Sequence, residues 1–332
     1  MRWDVAGVGN ALMDALVVVD DGDLIDRLGV ARGTMHLVDH HRWTSVYEEV
    51  RTHGVVFDSG GSCANTIATI GRLGGRAVYY GQVGDDQMGQ LYASLMERAC
   101  GAHRIRSTRS AATGKCLSII SSRDAERTML TDLGAATTLP DIDGFAEELR
   151  GSRICHFEGY TLLEGPLRQV ARDGIAIARG AGAKVSLDAS DPFVVLQIQD
   201  VLWDVLADVD VLFLNREEAR ALSGLDDPEQ GALEIAARGK VGIVAVKLGG
   251  QGSVVVTDGQ LVRVPVFPVT AVDTTGAGDA YAGGFLYGLA RDWDAARAGH
   301  LASTVAALAV AQIGAVVKDV AALEQAVARY AA

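Results

Sequence analysis

Short apolar runs alternate along the chain with longer stretches whose apolar residues recur at helical spacing. Val5–Gly9 is an apolar run too short for a helix and reads as a buried strand. Ala64–Leu73 places Ile67, Ile70 and Leu73 on one helical face, and Ala77–Val83 then reads as a strand. Gln87–Ala99 reads as a helix with Met88, Leu91, Leu95 and Met96 on one face. Ile154–Phe157 and Lys184–Asp188 read as strands flanking a helix over Leu167–Arg179, and Val209–Leu214 and Val241–Lys247 as further buried strands. Such alternation predicts an α/β fold, a mostly parallel sheet with helices on both faces.

Four segments break the pattern: Leu16–Val19, Thr34–Val38, Thr113–Ser121 and Thr128–Thr131. The last two are β-rich and flank the turn signal Ser121-Ser-Arg-Asp124, which predicts a hairpin. The plainest reading of this β material is an extra hairpin at a sheet edge.

Composition narrows the function classes. The chain has 332 residues, 49% of them hydrophobic, enough for one large α/β domain with a sizeable core. A net charge of −12 argues against nucleic acid or an anionic membrane as the main partner. It does not argue against a nucleotide, whose phosphates are held locally. The four cysteines, Cys63, Cys100, Cys116 and Cys155, show no metal-ligand spacing, which predicts no zinc and a reducing cytoplasm. No segment reads as a signal peptide or reaches membrane-spanning length. No feature chooses between a monomer and a homodimer.

The densest chemistry lies in Asp273-Thr-Thr-Gly-Ala-Gly-Asp279-Ala-Tyr-Ala-Gly-Gly-Phe285. Gly276 and Gly278 let backbone N–H groups approach a ligand closely where an apolar helix begins. The unpaired N–H groups and positive dipole end of such a helix form an anion site suited to phosphate. A carboxylate beside a phosphate is repulsive for binding alone. It makes sense as a base that takes a proton from an attacking hydroxyl. The plainer alternative is an acidic first-turn residue favoured by the helix dipole.

Asn10 and Asp14 follow the first strand, at the carboxyl edge of the sheet, where α/β ligand sites occur. An amide and a carboxylate there can bind vicinal hydroxyls, or can cap the next element. Asn215-Arg-Glu-Glu218 has the spacing of a helix capping box. Gly283 and Gly284 lie inside a helix, where each costs about 1 kcal/mol relative to Ala, so something packs closely there, the sheet or a nucleotide. No Gly-x-x-x-x-Gly-Lys motif is present, and the Gly7-Val-Gly9 pair lacks the third glycine of a dinucleotide fingerprint, Leu12 standing in its place. A P-loop kinase and a dehydrogenase are therefore disfavoured.

The Asp273–Phe285 string resembles the carboxy-terminal signature of the ribokinase family, the PfkB-type carbohydrate and purine kinases. Gly60-Gly-Ser-Cys-Ala-Asn65, Leu73-Gly-Gly and Gly81-Gln-Val-Gly-Asp85-Asp-Gln-Met-Gly89 resemble its amino-terminal half. The resemblance implies a three-layer α/β/α domain spanning 1–332, with a small β-sheet lid formed by segments near 14–40 and 110–132. It implies an ATP- and Mg²⁺-dependent kinase, with Asp279 as general base and Gly276, Ala277 and Gly278 as the anion loop. Asn10, Asp14, Gly60, Gly61, Ser62 and Asn65 would form the substrate pocket. Asn215 and Glu218 would organise Mg²⁺ through water. Lys247, Gly249 and Gly252 would lie against the nucleotide, and His300, in Ala298-Gly-His-Leu-Ala, beside its adenine. Asp273 and Thr275 would hold a potassium-type ion. The Gly9-Asn-x-x-x-Asp14 start, with Thr113–Cys116 and Arg127-Thr-Met, resembles the adenosine kinase branch and makes an adenosine-type nucleoside the first expectation. Thr275, where animal adenosine kinases commonly have Asn, is shared with bacterial sugar kinases and keeps ribose, fructose or a keto-deoxy sugar as the alternative. A non-catalytic nucleoside-binding protein is the remaining alternative, opposed by Asp279 and the loop glycines.

Overall fold

The computed structural model describes residues 2–19, 22–123 and 126–331. The strands are β1 (Trp3–Val8), β2 (Leu12–Val19), β3 (Met35–Leu37), β4 (Val56–Gly60), β5 (Ala77–Tyr80), β6 (Gln82–Gly84), β7 (Arg106–Thr108), β8 (Gly114–Ser121), β9 (Arg127–Asp132), β10 (Ser152–Glu158), β11 (Lys184–Asp188), β12 (Val211–Asn215), β13 (Ile243–Lys247), β14 (Ser253–Thr257) and β15 (Gln260–Val264). Eight of them form one sheet in the order β15-β14-β13-β12-β11-β10-β1-β5. From β5 to β13 every pairing is parallel, and β14 and β15 close the far edge antiparallel. The mostly parallel sheet expected from the alternation is present, and it is covered on both faces.

The strands of this sheet are apolar on both sides because each face meets helices. Leu212 and Leu214 point to one core, shared with Val170 and Ile175 of helix Pro166–Gly180. Val211 and Phe213 point to the other, shared with Ile67 of helix Ser62–Arg72 and Phe285 of helix Ala277–Leu289. The same period of two runs through β13 and β14.

The β segments outside this frame form a second sheet, ordered β3-β9-β8-β2-β4. On one face Ala15, Val17, Leu117, Ile119 and Leu130 pack against Trp43, Val46 and Val50 of helix His40–Val50 and against Leu24 and Leu28 of helix Gly22–Leu28. The other face looks into a cavity between the two sheets. The expected hairpin is β8–β9, antiparallel; its turn signal includes Asp124, which lies outside the described residues.

Two expectations are corrected. Ala77–Val83 is not one strand: β5 belongs to the large sheet, whereas β6 pairs with β7. Gly81 separates them, and a Cβ there would lie 3.0 Å from Gly9 O and 2.8 Å from the Tyr79 hydroxyl that donates to that carbonyl. The close packing at Gly283 and Gly284 is against neighbouring helices, not the sheet or a nucleotide. A Cβ on Gly283 would sit 2.7 Å from Thr69 Cβ, and one on Gly284 2.9 Å from Ala302 Cα in helix Ala295–Val310.

Candidate active site

Five neighbouring parallel strands end at one edge, and each delivers a polar side chain there. Asn10 follows β1, Glu158 ends β10, Asp188 ends β11, Asn215 ends β12 and Lys247 ends β13. All five line the cavity, whose volume is about 1580 Å³. That exceeds the ~300–1,000 Å³ typical of a single small-molecule pocket and leaves room for two ligands side by side.

The anion loop forms the floor of one half. Gly276 is the N-cap of helix Ala277–Leu289, with φ 68°. Only glycine suits this backbone without strain, and a Cβ would also meet Ala315 Cα at 2.6 Å. Ala277 N–H closes a turn onto Thr274 O at 3.3 Å, so the loop is shaped before any ligand arrives. Gly278 leaves space for Lys247, whose Nζ would stand 3.1 Å from a Cβ at that position. Lys247 also reaches Asp188 Oδ2 at 2.7 Å. Burial is the largest influence on this ammonium and lowers its pKa, but Asp188, Glu218 and Asp279 outweigh it and hold the pKa above its ordinary value. A fixed cation therefore lies directly beside the loop.

Asp279 stands in the first turn of that helix. Its Oδ1 accepts from Ser62 Oγ at 2.7 Å and its Oδ2 from Asn65 Nδ2 at 2.9 Å. Burial raises the carboxyl to about 6, while the bonds from Asn65 and Ser62 pull it down. A base near this value is ionised at neutral pH yet basic enough to take a proton. Ser62 and Asn65, expected to touch the substrate, line the cavity and in this structure orient Asp279.

Asp14 reaches the cavity from β2 and lies over Gly60, where a Cβ would come within 2.3 Å of its carboxyl carbon. Gly60 itself does not line the cavity; its bare Cα makes room for Asp14. At Gly61, φ is 98° and a Cβ would lie 2.1 Å from Asn10 O. Burial pushes Asp14 up to about 7, partly opposed by Arg127 and assisted by Asp58.

Asn215 and Glu218 form the capping box that their spacing predicts. Asn215 Oδ1 accepts from Glu218 N at 2.8 Å, and the Glu218 carboxylate accepts from Asn215 N at 2.7 Å and from its amide at 2.5 Å. Burial drives Glu218 up to about 8 against the pull of Lys247. Both residues also line the cavity. Gly249 and Gly252 form the expected turn from β13 to β14 and line it too. Asp273 is buried behind the loop, accepting from Thr275 N and Oγ1 and from Gly314 N. His300 is not a lining residue; its ring stacks on Tyr330, 6.1 Å between centroids.

Sequence reasoning missed Glu158 and Asp188. Both end strands that were recognised, and a carboxylate on the last residue of a parallel strand was the available signal. Glu158 is buried and accepts from Asn10 N at 2.9 Å, Asn10 Nδ2 at 3.0 Å and Cys63 N at 2.7 Å. Burial holds it up at about 7 despite those bonds. Among the described residues no group of three or more His, Cys, Asp or Glu is arranged to hold a metal.

The sequence pattern of the pfkB family carbohydrate kinase matches residues 35–320. The chain belongs to this family. A fructokinase from Klebsiella pneumoniae is 31% identical to this pfkB-family kinase over 243 residues, covering 70% of this chain and 76% of the relative. The structure of adenosine kinase from Sinorhizobium meliloti is 33% identical, covers 100% of both chains and superposes with a TM-score of 0.90. That of a probable sugar kinase from Rhizobium etli is 31% identical over 99% of both, with a TM-score of 0.91. The fold is ribokinase-like and the reaction class follows: a phosphotransferase with an alcohol group as acceptor, in a family of ATP users. No helix among the described residues is long and apolar enough to cross a membrane.

Proposed function

We propose that this pfkB-family kinase transfers the γ-phosphoryl group of ATP to a primary hydroxyl of a ribose-containing nucleoside, adenosine-type compounds first. The observation that carries the nucleoside reading is the inner face of the small sheet. Across from Asp14 on β2 lies Cys116 on β8, and Met129 of β9 faces Met35 of β3. This apolar patch, beside a hydroxyl-binding carboxylate and bordered by Ser118, Arg127 and Thr131, suits a flat base attached to a sugar. A free sugar offers nothing to cover it.

In this reading Asp14 and Asn10 hold the sugar, and Asp279 takes the proton of the primary hydroxyl as its oxygen attacks the γ-phosphorus, whose bond to the β,γ-bridging oxygen breaks to release ADP. Lys247 and the N–H groups of Gly276 and Gly278 stand where negative charge spreads on the transferred group, and Ala277 N–H would join them by leaving its long bond to Thr274 O. Mg²⁺ would neutralise phosphate charge, with Asn215 and Glu218 holding its waters. Asp273, a buried carboxylate that accepts only from neutral donors among the described residues, supports a potassium-type ion next to Thr275. The small sheet, β4 included, acts as a lid that excludes water from the transfer.

The alternative is a sugar kinase acting on ribose, fructose or a keto-deoxy sugar, supported by the Klebsiella fructokinase likeness. A coupled ATP-consumption assay across nucleosides and these sugars decides between them. Asp279→Asn is expected to lower turnover by roughly 100- to 10,000-fold with ATP affinity equal or better. Activity within tenfold of wild type would remove Asp279 from its role.

A further inference from the structure

Of the three cavity asparagines, Asn10 and Asn65 stand at the sugar end, and each is oriented by a carboxylate. Asn10 directs its amide NH₂ to Glu158 Oε1 at 3.0 Å, and its backbone N–H points at the same oxygen. Asn65 directs its NH₂ to Asp279 Oδ2 at 2.9 Å. Once the carboxylates are ionised, turning either amide over would set its carbonyl oxygen against a carboxylate oxygen, two acceptors with no proton between them, and Glu158 Oε1 is already the acceptor of Asn10 N. The remaining oxygens, Asn10 Oδ1 and Asn65 Oδ1, are buried and accept from no donor among the described residues. Buried acceptors left unpaired are rare in native structures and call for a partner. The Asp14 carboxylate, the third polar group of this end, likewise accepts from no side-chain or backbone donor that the described residues provide.

We infer that Glu158 and Asp279 fix Asn10 and Asn65 as hydrogen-bond acceptors, so that this end of the cavity reads the hydroxyl hydrogens of its substrate and rejects groups that only accept. The inference rests on the proposed function for the choice of probe. It gives the cavity a direction: acceptors on the floor at the sugar end, and Lys247 with the N–H groups of the loop at the phosphate end. Arg127 brings donors from the facing wall, on β9, rather than from the floor. Glu158 is a positioning residue in this scheme. It acts on the substrate through Asn10, and its third bond, from Cys63 N, ties the same carboxylate to the start of helix Ser62–Arg72.

Replacing one ring hydroxyl at a time separates donors from acceptors. Adenosine is compared by calorimetry with its 2′- and 3′-deoxy, fluoro and amino forms, and D-fructose with the corresponding C3 series. A neutral amino group keeps donor hydrogens, whereas fluorine keeps the size and loses them. The amino forms are expected within about fivefold of the hydroxyl parent, and the fluoro and deoxy forms roughly tenfold or more weaker, the scale of one lost buried hydrogen bond. Glu158→Leu frees the Asn10 amide to turn, and the hydroxyl-over-fluoro ratio at one ring position should fall below about threefold. Glu158→Gln keeps an oxygen for Asn10 and should preserve the ratio. The ratio does not depend on the fraction of folded protein, so loss of stability alone leaves it unchanged. Should Glu158→Leu not fold, Asn10→Ala serves in its place with the same expectation. Fluoro forms that bind as tightly as their parents overturn the inference, as does a ratio unchanged in both Glu158→Leu and Asn10→Ala. If adenosine does not bind and fructose does, the nucleoside reading falls and the fructose series decides the inference. If neither parent binds, the inference falls as well.

Discussion

Asp14 is a partly buried carboxylate with no hydrogen-bond donor among the described residues, and neutralising it should stabilise the unliganded protein in a pH-dependent way. Its carboxyl is raised from an ordinary 3.8 to about 7, burial being the main cause. The folded state therefore binds this proton more tightly than the unfolded chain does. Stability from this group is fully present below pH 4, declines as pH rises, and is lost once pH passes 7. At ~1.4 kcal/mol for each tenfold difference in proton affinity, ionised Asp14 destabilises the folded state by about 4 kcal/mol at pH 8. Partial exposure and the asparagine dipole reduce what Asp14→Asn recovers to roughly half of that, ~2 kcal/mol. For a chain of this length that is a rise in Tm of about 2–4 °C. Thermal unfolding of wild type and Asp14→Asn from pH 4 to 9, without ligand, measures it. The gain should be near zero at pH 4 and grow to its full size by pH 8. A difference constant across that range, or a variant less stable at pH 8, refutes the assignment of a strained, uncompensated carboxylate.

Three further outcomes follow from the same geometry. Activity carried by Asp279 should fall tenfold per pH unit below about 6, and Ser62→Ala or Asn65→Ala should move that limb to higher pH, since each removes a bond that lowers the carboxyl; a pH profile of kcat/KM for each variant reads this. Asn215→Ala should raise the Mg²⁺ concentration needed for half-maximal rate as well as lowering Tm through loss of its cap, typically by about 1 kcal/mol; an unchanged Mg²⁺ requirement with lowered Tm would leave only the structural role. Gly276→Ala should lower kcat and Tm together, because the new methyl group meets both a left-handed backbone and Ala315; kcat at saturating substrate and thermal unfolding check it.

The large sheet was readable because its strands are short apolar runs whose neighbours switch to helical spacing. The anion loop was readable because glycine, glycine and aspartate at a helix start leave few other uses. What escaped has physical reasons. Ala77–Val83 reads as one apolar strand because the bend at Gly81 is imposed by a contact with Gly9, far away in sequence. Helix His40–Val50 carried a legible stripe in Trp43, Val46 and Val50, but its surroundings were read only for β structure. Glu158 and Asp188 hide at the ends of apolar strands, and their importance comes from the neighbouring strands that bring Asn10 and Lys247 to them. His300 lies on a helix whose string resembles a nucleotide contact, and its ring meets Tyr330 of the last helix instead.

The second sheet divides its labour by parity. Odd-numbered residues of β2 and β8, such as Ala15, Val17, Leu117 and Ile119, hold it to the helices behind it. Even-numbered neighbours, Asp14, Cys116 and Ser118, face the ligand space. A substitution at Asp14, Cys116 or Ser118 changes what the cavity presents and leaves the packing against the helices behind alone. Selection can therefore retune such a surface one residue at a time without passing through unfolded intermediates. A scaffold of this kind suits a lineage in which a fructokinase and an adenosine kinase each share about one-third of their residues with this chain.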